Sequence, residues 1–192
     1  MSRWVKVVVL CEGIKDWDFA RHALLALGVQ KRELSPQYAT LADGGSGEQF
    51  VREQYPVEVR EQRLRPRSVL LVSVDADTGT VVQRSEQLAR ALASSGQKSR
   101  DRRDKVSHWI PKRNIETWVH LYVRGPINEQ TDYSKYKFGL DEADTVSAAR
   151  AFGADLRRKS ISPRKCPSLA AAVQETERIR PLGRIRSGRR GR

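Results

Sequence analysis

Two short apolar runs that end in acidic residues dominate the pattern of hydrophobic and polar positions along the chain. The first run covers residues 5–11 and is followed by Glu12-Gly13. The second covers residues 68–74 and is followed by Asp75-Ala76-Asp77. Short runs rich in β-branched residues are typical of strands buried on both faces of a parallel sheet. The pattern therefore predicts an α/β fold with a mostly parallel central sheet and helices on both faces.

Segments with helical spacing of apolar residues separate and follow these two runs. Pro56 falls inside one of them and is expected to kink that helix or split it in two. Two weaker patterns predict a short strand at 35–41 and, from alternating apolar and polar residues, an outer strand of the sheet at 105–111. The predicted helices cover residues 17–27, 47–65, 81–93, 112–121, 141–158 and 168–179.

The length of 192 residues fits one domain, within which the pattern separates three parts. Residues 1–124 hold the α/β unit, and residues 125–180 form a helical C-terminal extension of the same domain. Residues 181–192 are dominated by Arg and Gly and contain too few apolar side chains to bury. This basic tail is predicted to be disordered.

Carboxylates follow both buried strands, and parallel strands deliver their ends to the same edge of a sheet. Glu12, Asp75 and Asp77 are therefore expected to converge at the edge where open α/β sheets bind their ligands. Several negative charges at one place require a cation, and oxygen ligands without clustered Cys or His favour Mg²⁺ or Mn²⁺. Asp16, at the start of the first helix, and Glu116, in the first turn of a later helix, are further candidate ligands.

Each of these acids also has a structural interpretation that the sequence leaves open. Glu12 and Asp16 suit a turn and a helix N-terminus, where acidic side chains complement the helix dipole. Glu116 suits the first turn of its own helix for the same reason. The segment 43–47, with three glycines, suits either an anion-binding nest or an ordinary helix start capped by Ser46.

The charge balance points to a polyanionic partner. Lys and Arg number 36 against 23 Asp and Glu, giving a net charge of +13, and such an excess favours nucleic acid. The basic segment 98–105 suits either a charged linker or a loop that contacts phosphates beside the acidic site. The residues predicted to contact nucleic acid are Lys98, Arg100, Arg102, Arg103, Lys112 and Arg113.

Cysteine usage and hydropathy bear on the compartment. Cys11 and Cys166 are far apart in sequence and suggest free thiols, which are typical of the reducing cytoplasm. No apolar run approaches the roughly 20 residues that a membrane span needs. The expectation is a cytoplasmic protein without membrane contact.

Glu12-Gly13 after one strand and Asp75-Ala76-Asp77 after another resemble the Toprim domain of topoisomerases, primases and OLD-type nucleases. The resemblance covers roughly residues 5–120 and implies a Rossmann-like fold that binds Mg²⁺ at the strand ends. Asp16, four residues after Glu12, and the late Glu116 look most like the OLD-type arrangement. That likeness implies catalytic roles for Glu12, Asp16, Glu116 and a late lysine, for which Lys165 and Lys159 are the candidates.

The resemblance implies a Mg²⁺-dependent nuclease, with DNA the favoured substrate, as one component of a phage-defence or mobile-element system. The alternative is a non-catalytic nucleic-acid-binding or regulatory subunit that docks on an ATPase partner, since the ATPase domain of OLD proteins has no counterpart here. A nuclease of this size that cuts both strands requires two sites, which a homodimer would supply.

Overall fold

The computed structural model describes residues 5–40, 44–134, 138–158 and 166–180. The strands are β1 (Lys6–Cys11), β2 (Leu34–Tyr38), β3 (Ser68–Ser73) and β4 (Val106–Trp109). The α-helices are α1 (Ile14–Leu27), α2 (Gly47–Leu64), α3 (Val81–Ser94), α4 (Ile115–Arg124), α5 (Glu142–Arg158) and α6 (Pro167–Thr176). Short 3-10 turns at Lys31–Glu33 and Glu177–Ile179 flank this framework.

The four strands form one sheet in the order β2-β1-β3-β4, and every neighbouring pair is parallel. β1 and β3 occupy the centre and are almost fully buried, which explains why their sequences are apolar at successive positions. β2 and β4 are the two outer strands. The predicted parallel sheet is confirmed, and the arrangement is consistent with a Rossmann-like fold.

Helices cover both faces of the sheet, as the sequence predicts. Alternate strand residues such as Val9 and Leu71 pack with α1, α4, α5 and α6 in one apolar core. The intervening residues, such as Leu10 and Val72, pack with α2 and α3 in a second core. This alternation follows from the two-residue period of strand side chains.

The first two helices differ from their predicted form. α1 begins at Ile14, three residues before the predicted start at residue 17, so Asp16 lies inside its first turn. α2 runs unbroken through Pro56, so of the two effects expected of this residue, a kink or a split, the split is wrong. Val51, Tyr55 and Val59 anchor α2 on the sheet on both sides of Pro56, and this packing offsets the backbone hydrogen bond that proline cannot make.

α5 lies against α1 at a point where only glycine fits. A Cβ atom on Gly153 would sit 2.4 Å from the carbonyl oxygen of Ala23 and 2.7 Å from Cβ of Ala26. The two helix backbones therefore approach closely, and Phe152 beside this contact is fully buried. The C-terminal helices thus contribute to the same core as β1 and α1.

We expect Gly153→Ala to lower the free energy of unfolding by about 1–3 kcal/mol, because the added methyl group forces α5 away from α1. Chemical denaturation measures this change. Ser147→Ala is the control, because Ser147 lies on the exposed face of the same helix. Equal stabilities for the two variants would contradict the close packing of α1 and α5.

Among the residues that the structure describes, no helix has both the length and the apolar character needed to cross a lipid bilayer.

Candidate metal centre

The acidic residues lie where the chain changes direction across the sheet. From β1 the chain passes through α1 to β2 on one side, whereas β3 pairs with the other side of β1. Helices α1 and α3, which follow the two central strands, leave toward opposite faces. Such a switch point opens a crevice beyond the carboxyl ends of the strands, and Glu12 and Asp75 follow the two strands that flank it.

Glu12 links the ends of the two central strands. Its Oε1 accepts a hydrogen bond of 2.7 Å from the backbone N–H of Asp75. The start of α2 closes over the same residue, since a Cβ atom on Gly47 would lie 2.5 Å from the Glu12 carbonyl oxygen. Ser46 caps this helix by accepting from Gln49 N–H at 3.1 Å, as in one of the two interpretations of the glycine-rich segment. Glu12 is thus held from two directions.

A cleft of about 370 Å³ opens at this edge of the sheet. It lies between the first turn of α1, the segment after β3 and the start of α4. Its lining residues are Lys15, Asp16, Asp75, Asp77, Thr78, Arg113, Asn114, Ile115, Glu116, Asp132 and Ser134. The cleft therefore contains four of the five predicted acids, and Glu12 lies behind it against Asp75.

Two carboxylate oxygens in the cleft are buried without a hydrogen-bond partner among the described residues: Asp16 Oδ1 and Asp75 Oδ1. Asp16 as a whole is only 7% exposed. A buried carboxylate oxygen without a partner is costly, and proteins normally pair such an atom with a donor or a cation. These two oxygens make the cleft more than a patch of acidic side chains.

Burial and mutual repulsion raise the pKa values of the central carboxyl groups. Burial and the charges of Glu12 and Glu116 raise the pKa of Asp16 to about 8. Burial raises the pKa of Glu12 to about 7, although the hydrogen bond from Asp75 N–H opposes the shift. Burial and the charges of Asp16 and Glu12 raise the pKa of Asp75 well above its usual range. The acids therefore lie close enough to affect one another.

The net charge of the cleft is opposite in sign to that of the chain. Five carboxyl groups but only two cationic side chains line it among the described residues, whereas the whole chain carries +13. A phosphate cannot approach such a surface without a cation to offset the repulsion. Oxygen donors of this kind match Mg²⁺ and Mn²⁺.

The described residues nevertheless include no group of three or more His, Cys, Asp or Glu side chains placed to hold a metal ion. Three of the acids are turned to other partners. Glu12 accepts from Asp75 N–H, Glu116 pairs with Lys15 at 2.9 Å, and Asp77 pairs with Arg84 at 3.1 Å. The donor types and the two unpartnered oxygens fit a divalent cation, and side-chain rotation would be needed to complete its coordination.

Asp77 differs most from its neighbours in the site. Its side chain is 61% exposed, and its backbone lies in the left-handed region with φ of 53°. Arg84, from α3, donates to the Asp75 carbonyl at 2.7 Å as well as to Asp77. It also pairs with Glu48 at 2.8 Å. The buried guanidinium of Arg84 thus fixes the segment that carries both aspartates.

The basic segment near residue 100 does not lie beside the acidic cleft. It precedes β4, and Lys105 O accepts from Leu70 N–H near the start of β3. It therefore lies at the amino ends of the strands, whereas the cleft lies beyond their carboxyl ends. Arg100 forms a bidentate pair with Glu175 of α6, and Arg103 pairs with Asp101. The expectation of a phosphate-contacting loop next to the site is wrong in its placement. Nucleic-acid contact by Lys98, Arg100, Arg102 and Arg103 stays a prediction.

Lys112 and Arg113 do lie at the acidic edge. Lys112 Nζ donates to the Gly79 carbonyl at 2.5 Å, which ties the start of α4 to the segment after Asp77. Arg113 lines the cleft and lies 4.0 Å from Asp132. The candidate lysines Lys159 and Lys165 lie outside the described residues, as does the basic tail 181–192.

Sequence reasoning missed four residues at the cleft or its support. Lys15 was overlooked although it directly precedes a candidate ligand, and Arg84 lies on a helix face that the apolar pattern alone does not distinguish. Asp132 and Asn114 are joined by a hydrogen bond of 2.7 Å between residues 18 positions apart. Such a contact between a loop and a helix cap leaves no periodic signal in the sequence.

Comparison of the chain with family models, with curated proteins and with solved structures finds no match.

Proposed function

We propose that this protein is a divalent-metal-dependent nuclease with a Toprim-like catalytic unit. One observation carries the proposal: a net negative cleft with two unpartnered buried carboxylate oxygens lies at the switch point of a chain whose net charge is +13. A cation in the cleft would satisfy those oxygens and reverse the local repulsion of phosphate. The remaining basic surface would hold the nucleic-acid backbone without reading its sequence.

The Toprim resemblance is supported by the arrangement of the acids. Glu12 and Asp75 follow adjacent parallel strands, and Asp16 and Glu116 reach the same site from α1 and α4. These are the positions that the resemblance implies for the OLD-type acids. We extend the proposal to DNA as the favoured substrate, to a cytoplasmic site of action, and to a role in phage defence or a mobile element.

In this proposal Asp16, Asp75 and Glu116 hold the cation, while Glu12 and Asp77 support it from behind and from the rim. Bound Mg²⁺ or Mn²⁺ would supply charge neutralisation and an activated water. Hydrolysis would form a P–O bond to the oxygen of water and break the P–O bond to the leaving oxygen, which would take up the proton that the water gives up. Arg113 lines the same cleft.

We expect purified protein to convert supercoiled plasmid to nicked or linear DNA in Mg²⁺ or Mn²⁺ and not in EDTA. Asp75→Asn should lower the rate by at least about 100-fold, because it removes a charged ligand while keeping the side-chain shape. Asp101→Asn is the matched control, because Asp101 lies on the segment before β4 at the other edge of the sheet. Plasmid that stays intact with both metals would contradict the proposal.

A second candidate function is a non-catalytic subunit that binds nucleic acid and docks on an ATPase partner. It is favoured by the absence, among the described residues, of a group of side chains already placed to hold a metal. Gel-shift assays of the same plasmid separate the two functions. Intact plasmid that is retarded equally by wild-type protein and Asp75→Asn would favour the binding subunit.

A further inference from the structure

We propose that Lys15 is the phosphate-contacting cation of the cleft. In the metal-free protein its ammonium group is paired with Glu116, and binding of a divalent ion releases it. This inference rests on the proposed nuclease function. It assigns to the start of α1 a role that the Toprim-like pattern places on a late lysine. Its basis is the position, pairing and exposure of Lys15 relative to the other cations at the cleft.

The Lys15–Glu116 pair spans the cleft between α1 and α4. Lys15 Nζ lies 2.9 Å from Glu116 Oε1, and the two residues are separated by 101 positions in sequence. The Lys15 side chain is 72% exposed, whereas the Glu116 side chain is 13% exposed. The pair therefore joins a largely exposed cation to a largely buried carboxylate.

Glu116 needs a positive partner because it faces other carboxylates. Its charge acts on both Asp16 and Asp75, which line the same cleft. In the metal-free protein the Lys15 ammonium offsets part of this repulsion. A divalent ion bound by Asp16, Asp75 and Glu116 would take over that role with its own positive charge. The ammonium would then be free to turn toward an incoming phosphate.

Leaving Glu116 is easy for Lys15. An ion pair with so exposed a lysine is weak, since solvent screens it and the long side chain gains freedom on release. Lysine presents a compact charge on four flexible methylene groups, which suits a contact that changes partner. Among the described residues, Glu116 is the partner to which Lys15 donates a side-chain hydrogen bond.

The other cations at this edge are less free to move. Arg113 is 26% exposed and lies near Asp132 across the cleft. Lys112 donates to the Gly79 carbonyl. Buried Arg84 donates to the Asp75 carbonyl and pairs with Asp77 and Glu48. Lys15 is thus the described cation at the cleft that combines exposure with a single replaceable partner.

The inference predicts opposite effects of one substitution on two measurements. Lys15→Gln frees Glu116 for the metal, so Mn²⁺ should bind the metal-free full-length protein about two- to fivefold more tightly. The same variant lacks the cation that neutralises the phosphate, so plasmid cleavage at saturating Mn²⁺ should fall about 100-fold. Lys15→Arg should restore part of the cleavage, because it keeps the charge.

Calorimetric titration with MnCl₂ and plasmid cleavage measure the two effects, with Lys31→Gln as the matched control. Lys31 is exposed and lies in the 3-10 turn before β2, at the other edge of the sheet. Unchanged or weaker Mn²⁺ binding by Lys15→Gln would overturn the inference, as would unchanged cleavage. If wild-type protein binds Mn²⁺ but does not cleave, the proposed function fails and the phosphate role fails with it. The titration then still decides whether Lys15 competes with the metal for Glu116.

Discussion

The metal-free protein is expected to lose stability as the pH rises from 6.5 to 8.5, and Mn²⁺ is expected to restore it. In the folded protein the pKa of Glu12 is raised to about 7 and that of Asp16 to about 8. In the unfolded chain both carboxyl groups titrate near pH 4. The folded state therefore binds more protons than the unfolded state in this window, so the free energy of unfolding falls as the pH rises.

The choice of pH window isolates the carboxyl groups. Burial lowers the pKa of His108 well below its usual range, so His108 reduces stability only as the pH falls through about 6.5 and below. Burial raises the pKa of Cys11, whose penalty begins only above about pH 8.5, where an unfolded thiol ionises. Between these limits the acidic cluster dominates, and we expect a loss of roughly 3 kcal/mol.

Thermal or chemical denaturation at several pH values, in EDTA and in MnCl₂, tests this expectation. Asp75→Asn should flatten the pH dependence in EDTA, because it removes one of the repelling charges. The same variant should also lose most of the stabilisation by Mn²⁺. Asp101→Asn should behave like wild-type protein. Stability that is independent of pH over this window in EDTA would contradict the crowding of ionisable carboxyl groups in the cleft.

The sheet and the location of the acidic site could be predicted from sequence because both depend on local patterns. Two apolar runs of strand length identify β1 and β3, and the position of Glu12 and Asp75 directly after them fixes their edge of the sheet. The different environments of Asp75 and Asp77 could not be predicted. They depend on the left-handed backbone at Asp77 and on Arg84, which approaches from α3.

The misplacement of the basic segment has a different cause. Its composition indicates a surface for a polyanion, but composition carries no information about the edge of the sheet on which a loop lies. The topology does determine the end of the sheet at which a loop lies, since a segment that precedes a parallel strand lies at the opposite end from the residues that follow the strand. Arg100 is moreover paired with Glu175, which is 75 positions away and invisible to any local pattern.

Glu175→Gln is expected to lower the free energy of unfolding by about 3 kcal/mol, a large loss for one substitution. Glu175 accepts from both terminal nitrogens of Arg100, from Arg178 Nε at 3.2 Å and from the backbone N–H of His108 at 3.2 Å. The carboxylate thereby holds the basic segment and the edge strand β4 against α6. Glutamine removes the charge and turns an amide NH₂ toward donors, so Arg100 loses its counter-charge in a site that is only 18% exposed.

Glu177→Gln is the matched control, because Glu177 lies two residues further along and pairs with Arg180 at 3.1 Å with 42% of its side chain exposed. An exposed pair of this kind contributes about 0–1 kcal/mol. Urea denaturation of the two variants at pH 7 makes the comparison. If Glu175→Gln were no less stable than Glu177→Gln, Arg100 would not depend on Glu175 for its counter-charge. Arg100 would then be available to a phosphate, and the basic segment could contact nucleic acid at the amino ends of the strands, opposite the metal cleft.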